Sequence, residues 1–340
     1  MTTARRARRR GELTVADIAR LAGVSAPTVS RVINGQAGVA LDTRRRVEQV
    51  INEHGYRRPE HIEPAAILEL VFHALESLWA LEIIRGVERV AREHELAVVL
   101  TEMQGRLTPG RAWTEQVLTR RPTGVIAVFS DLTTAQQAQL AARSIPLVVL
   151  DPTGEPLHET PSVGATNWNG GLAATRHLLE LGHRRIAMIS GPTGWPCCRA
   201  RLDGFRAAMD AAGVPVDPEL VRESILYVEG GRRDGEALLR LPDPPTAIFT
   251  ANDLQAFGVY EAARRAGVRI PEDLSVVGFD DLSFTQWAGP PMTTVRQPLV
   301  DMGAAAANLI ITMSRGDTLP GNRIELATTL IVRESTAPPG

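Results

Sequence analysis

LTVADIARLAGVSAPTVSRVIN, the stretch from Leu13 to Asn34, decides how the first sixty residues fold. Thr14 stands where a side-chain oxygen can cap a helix, and Asp17 follows three residues later, near the free amides of the first turn. Ala22-Gly23 ends that helix, because glycine accepts the left-handed turn from which a second helix departs at a steep angle. Ser25 caps the second helix, and Pro27 is tolerated within its first turn, where backbone donors have no partner to lose. Val29, Val32 and Ile33 recur at helical spacing on one face, which leaves Ala26, Pro27, Ser30 and Arg31 on the other. Val47, Val50 and Ile51 repeat the apolar pattern, so the spacing predicts three helices. An outward face of small residues with one arginine suits the DNA major groove: a guanidinium donates two bonds to guanine, and small apolar groups touch thymine methyls. A helical hairpin that merely packs on the rest of the chain would share the apolar spacing, but charge separates the readings. Residues 1–60 hold 12 Arg against 6 acidic residues, whereas the whole chain of 340 carries −2. A basic module therefore precedes an acidic remainder.

The chain divides by composition. Residues 1–11, with Arg5 to Arg10, read as a basic disordered tail. Residues 12–58 read as the helical head, and residues 59–66, bracketed by Pro59 and Pro64, as a short linker. From residue 67 to 340 short apolar runs alternate with amphipathic segments. Ala97–Thr101, Gly124–Phe129, Pro146–Leu150, Arg185–Ser190, Ala247–Thr250 and Leu274–Phe279 read as strands. Such alternation predicts βαβ units around mostly parallel sheets, and its length exceeds one doubly wound sheet, so two lobes are expected. The fold class is thus an all-α helix-turn-helix head followed by an α/β body of two doubly wound parallel-sheet lobes. No apolar run approaches the ~20 residues of a membrane span, and the basic start has no apolar segment of an export signal behind it. The only cysteines, Cys197 and Cys198, are adjacent, which gives neither a disulfide framework nor a zinc site. A cytoplasmic, nucleoid-associated bacterial protein is expected. Nucleophile elbows, phosphate-cradling loops and His/Cys clusters are missing as well, so no enzyme, cofactor or metal is expected.

Leu13 to Asn34, followed by Thr43-Arg44 and Gly55-Tyr56, resembles the LacI/GalR family, the lactose and galactose repressors. The resemblance continues through Val163-Gly164-Ala165-Thr166-Asn167, Leu181-Gly182-His183-Arg184-Arg185-Ile186, Arg201-Leu202-Asp203-Gly204-Phe205, Asn252-Asp253, Val276 to Asp281 and Pro291-Met292-Thr293-Thr294-Val295. It implies a body like a type I periplasmic sugar-binding protein, with three crossovers between lobes. Lobe 1 would span about 67–164 and 297–325, and lobe 2 about 165–296 and 326–340. It also implies a repressor released from palindromic operator DNA by a sugar or oligosaccharide. The alternative is a co-repressor or a phosphoprotein partner in place of the sugar inducer. Base readers would fall on Ala26, Pro27 and Arg31, and backbone contacts on Thr28, Ser30, Asn34 and Tyr56; Thr14 and Ser25 complete the DNA-contacting set. Because Ala26 and Pro27 offer no side-chain hydrogen bond, direct readout leans on Arg31. The hinge departs from the family: Tyr56 to Ile67 is short and lacks the leucine that wedges the minor groove. Ile62 in a wedge helix and a plain linker both stay open. A single recognition helix covers a half-site, so double-stranded operator DNA implies a homodimer or a higher oligomer.

Candidate effector residues follow from position and chemistry. Asn252 and Asp280 lie just past predicted strands, where open α/β sheets bind ligands, and Arg201 lies near the start of a helix. An arginine fork, a carboxylate and an amide suit vicinal hydroxyls of a small carbohydrate. Gln297 falls at a family contact position beside a crossover. Asp151 and, more weakly, His73 align near the cleft. Trp79 and Trp287 sit in predicted loops at strand ends, where an indole face can stack on a pyranose or pack on its own lobe. Cys197 falls where the family places small polar contacts, with a reactive thiol as the sharper alternative. Asp253, Asp281 and His183 read as caps and helix-end residues.

Overall fold

A computed structural model describes residues 15–33, 39–54, 64–75, 78–130, 132–153, 160–319 and 321–340. The chain forms two compact units, 1–63 and 64–340. In the first, α1 (Val15–Ala22), α2 (Ala26–Ile33) and α3 (Leu41–Glu53) enclose a small core. Ile18, Ala19, Ala22, Val29, Val32 and Val47 are buried in it, with Val50 and Ile51 against its edge. The three apolar stripes of the sequence thus converge. Gly23, at φ +65, makes the left-handed turn between α1 and α2. Ser25 caps α2 by accepting from the Thr28 amide at 3.3 Å. Asp17 accepts from Arg20 Nη2 at 2.8 Å. Thr14, Asn34, Tyr56, Ile62 and the basic tail lie outside the described residues.

The second unit carries two six-stranded sheets. Its elements run β1 (Ala65–Phe72), α4 (Leu78–Glu93), β2 (Ala97–Glu102), α5 (Arg111–Arg120), β3 (Pro122–Val128), α6 (Thr134–Ala141), β4 (Leu147–Leu150) and β5 (Ser162–Ala165). Then come α7 (Asn167–Glu180), β6 (Ile186–Ser190), α8 (Pro196–Ala211), β7 (Val221–Glu223), α9 (Val228–Leu239), β8 (Ala247–Thr250), α10 (Asp253–Ala266), β9 (Ser275–Asp280) and β10 (Thr293–Arg296). The chain closes with α11 (Leu299–Ser314), β11 (Arg323–Leu326) and β12 (Thr329–Ile331). The first sheet has the order β11-β5-β4-β3-β1-β2 and the second β12-β10-β9-β8-β6-β7. All pairings are parallel except β10 with β12, which is antiparallel. β1 begins at Ala65, two residues inside the span read as linker.

Each sheet is covered on both faces, which is why its central strands read as unbroken apolar runs. Leu68, Leu70, Phe72, Ile126, Val128, Val148 and Leu150 meet α4 and α11. Their neighbours Val71, Val125, Ala127, Leu147 and Val149 point the other way, toward Trp113, Val117 and Leu140. In the second lobe Met188, Phe249, Val277 and Phe279 pack on Leu178, Leu202 and Phe205. Ile189, Ile248 and Val276 pack on Leu238 and Val259 on the opposite face.

The chain passes between lobes at Thr166, at Gln297-Pro298 and near Thr328. Two passages are tied together: the Thr328 amide donates to Thr166 Oγ1 at 3.0 Å, and Thr328 Oγ1 donates to the Thr166 carbonyl at 3.2 Å. Gly171 and Gly204 let α7 and α8 approach backbone to backbone. A Cβ on Gly171 would lie 2.2 Å from the Arg201 carbonyl oxygen, and one on Gly204 would lie 2.2 Å from that of Trp168. This contact sets the position of α8, the helix that carries Arg201.

Candidate functional site: an effector cavity and a DNA-reading helix

The second unit holds a cavity of about 380 Å³ lined from both lobes at the carboxyl ends of their strands. In lobe 1, His73 follows β1, Trp79 opens α4, Phe129 follows β3 and Asp151 follows β4. In lobe 2, Trp195 and Cys197 follow β6, Tyr227 follows β7, Asn252 follows β8 and Asp280 ends β9. Phe129, Asp151 and Asp280 have positive φ angles of +47, +49 and +117. Such backbone is costly for residues with a side chain and clusters at binding sites.

Arg201 lines the cavity and is 3% exposed. Its Nε donates to Asn167 Oδ1 at 2.8 Å and its Nη1 to the Ala251 carbonyl at 2.6 Å. Nη1 is also 3.9 Å from Asp280 Oδ1, and the guanidinium stacks 3.8 Å over the Phe279 ring. Much of the fork is thus engaged with the protein frame. Its positive charge serves two buried carboxylates, Asp151 and Asp280, each 4% exposed. Burial drives the Asp280 carboxyl up to about 7 against the opposing pull of Arg201. Burial also raises that of Asp151, again opposed by Arg201. An acceptor-rich pocket with one fixed cation is suited to a ligand that donates hydroxyl hydrogens.

The remaining candidates divide. Asn252 lines the cavity, but its Oδ1 caps α10 by accepting from the Gln255 amide at 2.9 Å, and its Nδ2 donates to the Leu226 carbonyl at 3.0 Å. One amide hydrogen and one lone pair are left for a ligand. Gln297 is not among the lining residues; its Nε2 donates to Asp280 Oδ1 at 2.6 Å, which joins the pocket carboxylate to a crossover. Cys197 lines the cavity at 5% exposure, and contact with Cys198 and burial hold its thiol protonated. This chemistry opposes the reactive-thiol alternative. Trp79 borders the cavity, but Trp287 does not: it is 82% exposed on a short 3-10 turn. A loop position could not tell the two indoles apart, since both follow strands and only the packing of the loop decides where the ring goes. Asp253 and Asp281 are structural as read: Asp253 accepts from the Leu282 amide and Thr294 Oγ1, and Asp281 from Arg296 and Arg333.

Sequence reasoning missed Phe129, Trp195 and Tyr227. Phe129 lay inside a predicted strand as an apparent core residue. Trp195 sits two residues before Cys197, in a segment already placed at the cavity, and an aromatic just past β6 was the signal available.

On the head, Ser25, Ala26, Pro27, Ser30 and Arg31 are exposed and Thr28 is half-buried. The outward face of α2 therefore carries the side chains that the apolar spacing assigned to it. Residues 14–59 match the lacI family of bacterial regulatory proteins, and residues 175–336 match the periplasmic binding protein-like domain. Over 329 residues, 95% of this chain and 96% of the relative, the sequence is 32% identical to the HTH-type transcriptional repressor CytR of Escherichia coli (strain K12). The chain belongs to the lacI family. It is a DNA-binding transcriptional regulator with an effector-binding body. Another lacI-family relative, the HTH-type transcriptional repressor PurR of Haemophilus influenzae (strain PittEE), is 31% identical over 95% of this chain and 98% of its own. Among solved structures, the transcriptional regulator CelR–cellobiose complex superposes with a TM-score of 0.73 at 33% identity, covering 95% of this chain and 100% of that one. The lac repressor dimer bound to operator and the anti-inducer ONPF gives 0.69 at 26%, covering 96% and 99%. Among the described residues of this lacI-family chain, no helix is long and apolar enough to cross a membrane, and no side-chain cluster could hold a metal ion.

Proposed function

We propose that this regulator is a cytoplasmic homodimeric repressor, without enzymatic activity, that leaves a palindromic operator when a small carbohydrate fills the cavity between its lobes. The observation that carries the effector reading is the pair of buried carboxylates, Asp151 and Asp280, around Arg201 at the strand ends. Their acceptors match hydroxyl donors, and the aromatic lining matches the C–H faces of a pyranose. CelR, solved with cellobiose, supports the same class of ligand. On the DNA side, Arg31 reads a guanine edge, Ala26 and Pro27 make apolar base contacts, and Ser25, Thr28 and Ser30 approach the phosphates.

Gln297 supplies the route for the signal. It holds Asp280 from a crossover, so a ligand that engages this carboxylate acts directly on the segment about which the lobes turn. A ligand that binds the closed cleft better than the open one shifts that equilibrium by its difference in affinity. The test is operator binding by the full-length protein across a sugar panel, with melting temperature followed in parallel. Release of operator by a sugar that also raises the melting temperature is expected. Tighter operator binding on sugar addition would reverse the sign and make the ligand a co-repressor. Operator binding and melting temperature unmoved by any sugar would overturn the carbohydrate reading.

A further inference from the structure

Beside the Thr166 crossover lies a second cavity, of about 290 Å³, which shares Asp151 with the first. Its floor is the edge of the first sheet. β5 and β11 pair there in register, Ser162 with Arg323 and Gly164 with Glu325. Val163, Ala165, Ile324 and Leu326 join the core of lobe 1, so strand alternation turns Ser162, Gly164, Arg323 and Glu325 to the other face. That face is open at Gly164, where a Cβ would meet nothing within 4 Å. Asp151 flanks Gly164 on the β4 side, since Leu150 pairs with Val163, and Glu325 flanks it on the β11 side. Two strand steps of ~4.8 Å set these acids about 10 Å apart, with a gap between them.

The facing wall comes from lobe 2. α7 begins there without a side-chain cap, because the hydroxyl of Thr166, its N-cap, is taken by the Thr328 amide at 3.0 Å. The amides of Asn167, Trp168 and Asn169 therefore find no acceptor among the described residues, and all three residues line the cavity. Two buried side chains on the floor are unmatched as well. Ser162 is 7% exposed and Asp151 4%, and neither side chain has a hydrogen-bond partner among the described residues. Buried polar groups are nearly always hydrogen-bonded, so each leaves a place for a ligand. The two oxygens of Asp151 let it serve both cavities. Trp168, 42% exposed, and Pro196 and Ala200 of α8 supply an apolar side.

The charges around this cavity are of both signs. The amino end of α7 and Arg323 attract an anion, whereas Asp151 and Glu325 attract a cation. A neutral sugar answers neither. We infer that this cavity is a second small-molecule site, which takes an α-amino acid with an apolar side chain. Its carboxylate accepts from the first amides of α7, and its ammonium lies over Gly164 between Asp151 and Glu325. The Ser162 hydroxyl completes the polar contacts, and the side chain lies along Trp168. A zwitterion carries its two charges on one carbon, as a helix start placed against two strand-end acids requires. The site stands apart from the carbohydrate reading of the first cavity.

The experiment is titration of the full-length protein with leucine, methionine and phenylalanine, read by calorimetry and melting temperature. The amide and the N-acetyl form of each amino acid, which lack one charge, are the controls. At least one amino acid is expected to bind, tenfold or more tightly than either of its capped forms, because each cap removes a charge-assisted contact. Gly164→Ile fills the open floor with a side chain that strands favour and should abolish binding while operator affinity stays within twofold. Glu325→Gln, at an exposed position, should weaken binding at least fivefold without lowering the melting temperature of the free protein. Asp280→Asn should leave it within twofold, since Asp280 lines only the first cavity. Binding of none of the three amino acids, equal binding of the capped forms, or unchanged binding in Glu325→Gln overturns the site, even where Gly164→Ile fails to fold. Binding lost in Asp280→Asn would place the amino acid in the first cavity and overturns it too.

Discussion

The head and the body solve recognition in opposite ways. At the start of α2 the side chains proposed to read DNA lie within seven residues, Ser25 to Arg31, and all of them but Thr28 are exposed. In the body, Asp151, Arg201, Asn252 and Asp280 come from positions up to 129 residues apart and are all under 9% exposed. A DNA groove comes to a surface and is read by whatever protrudes, so a single helix suffices. A small ligand must be enclosed, so its contacts come from many strand ends at once. Substitution in the head should therefore change affinity with little effect on stability, whereas substitution in the body should change both.

The largest expected effect tests the body. Arg201→Ala leaves two buried carboxylates without their cation and should lower unfolding free energy by roughly 3–5 kcal/mol. Denaturant melts of the wild type and variant decide it, and a loss below about 1 kcal/mol would show that Arg201 is not structural. The same electrostatics predict a pH trend. Asp280, raised by burial to about 7, keeps its proton in the folded state at pH values where the unfolded carboxyl has lost it. Stability from this group is full below about pH 4 and falls as pH rises through about 7; Asp151 has the same sign. A wild-type melting temperature that falls over this range, and falls less in Asp280→Asn, is the expected pattern; parallel curves would remove Asp280 as its source.

In the head, Arg31→Ala should weaken operator binding by about 1–3 kcal/mol, roughly 5- to 150-fold, and relax preference at one base pair. Its melting temperature should stay within a degree or two, because the side chain is exposed. A large fall would mean that Arg31 holds the head together, and the contrast between regions would fail. The smallest effect is expected at Trp287, which lies outside the cavity at 82% exposure. Trp287→Ala should change sugar affinity less than twofold, as isothermal titration can measure. A larger loss would move Trp287 into the site.

Legibility followed the same division. Asp151 and Arg201 were placed through the family resemblance. Asn252 and Asp280 could be placed at the cavity because strand ends are where open sheets put ligands, and a strand end is a local feature. Trp79 and Trp287 looked alike for that reason, and only one borders the cavity. Phe129 read as the last apolar residue of a strand, yet its positive φ turns the chain there and brings its ring to the cavity wall. Gln297 was placed by position alone; that it donates to Asp280 appears only when β9 and the crossover are side by side.

What the amino-acid order determined by itself is what depends on near neighbours: the capped helices and glycine turn of the head, its outward arginine, and the alternation that makes parallel sheets. Tertiary structure alone decided which aromatic rings share a cavity and which polar groups are already engaged by the frame. Strand order decides those matters, and neighbouring strands in these sheets are often far apart in the chain. Periodicity cannot reach them, because a side chain's partners are set by the packing of segments that meet only once the sheets have formed.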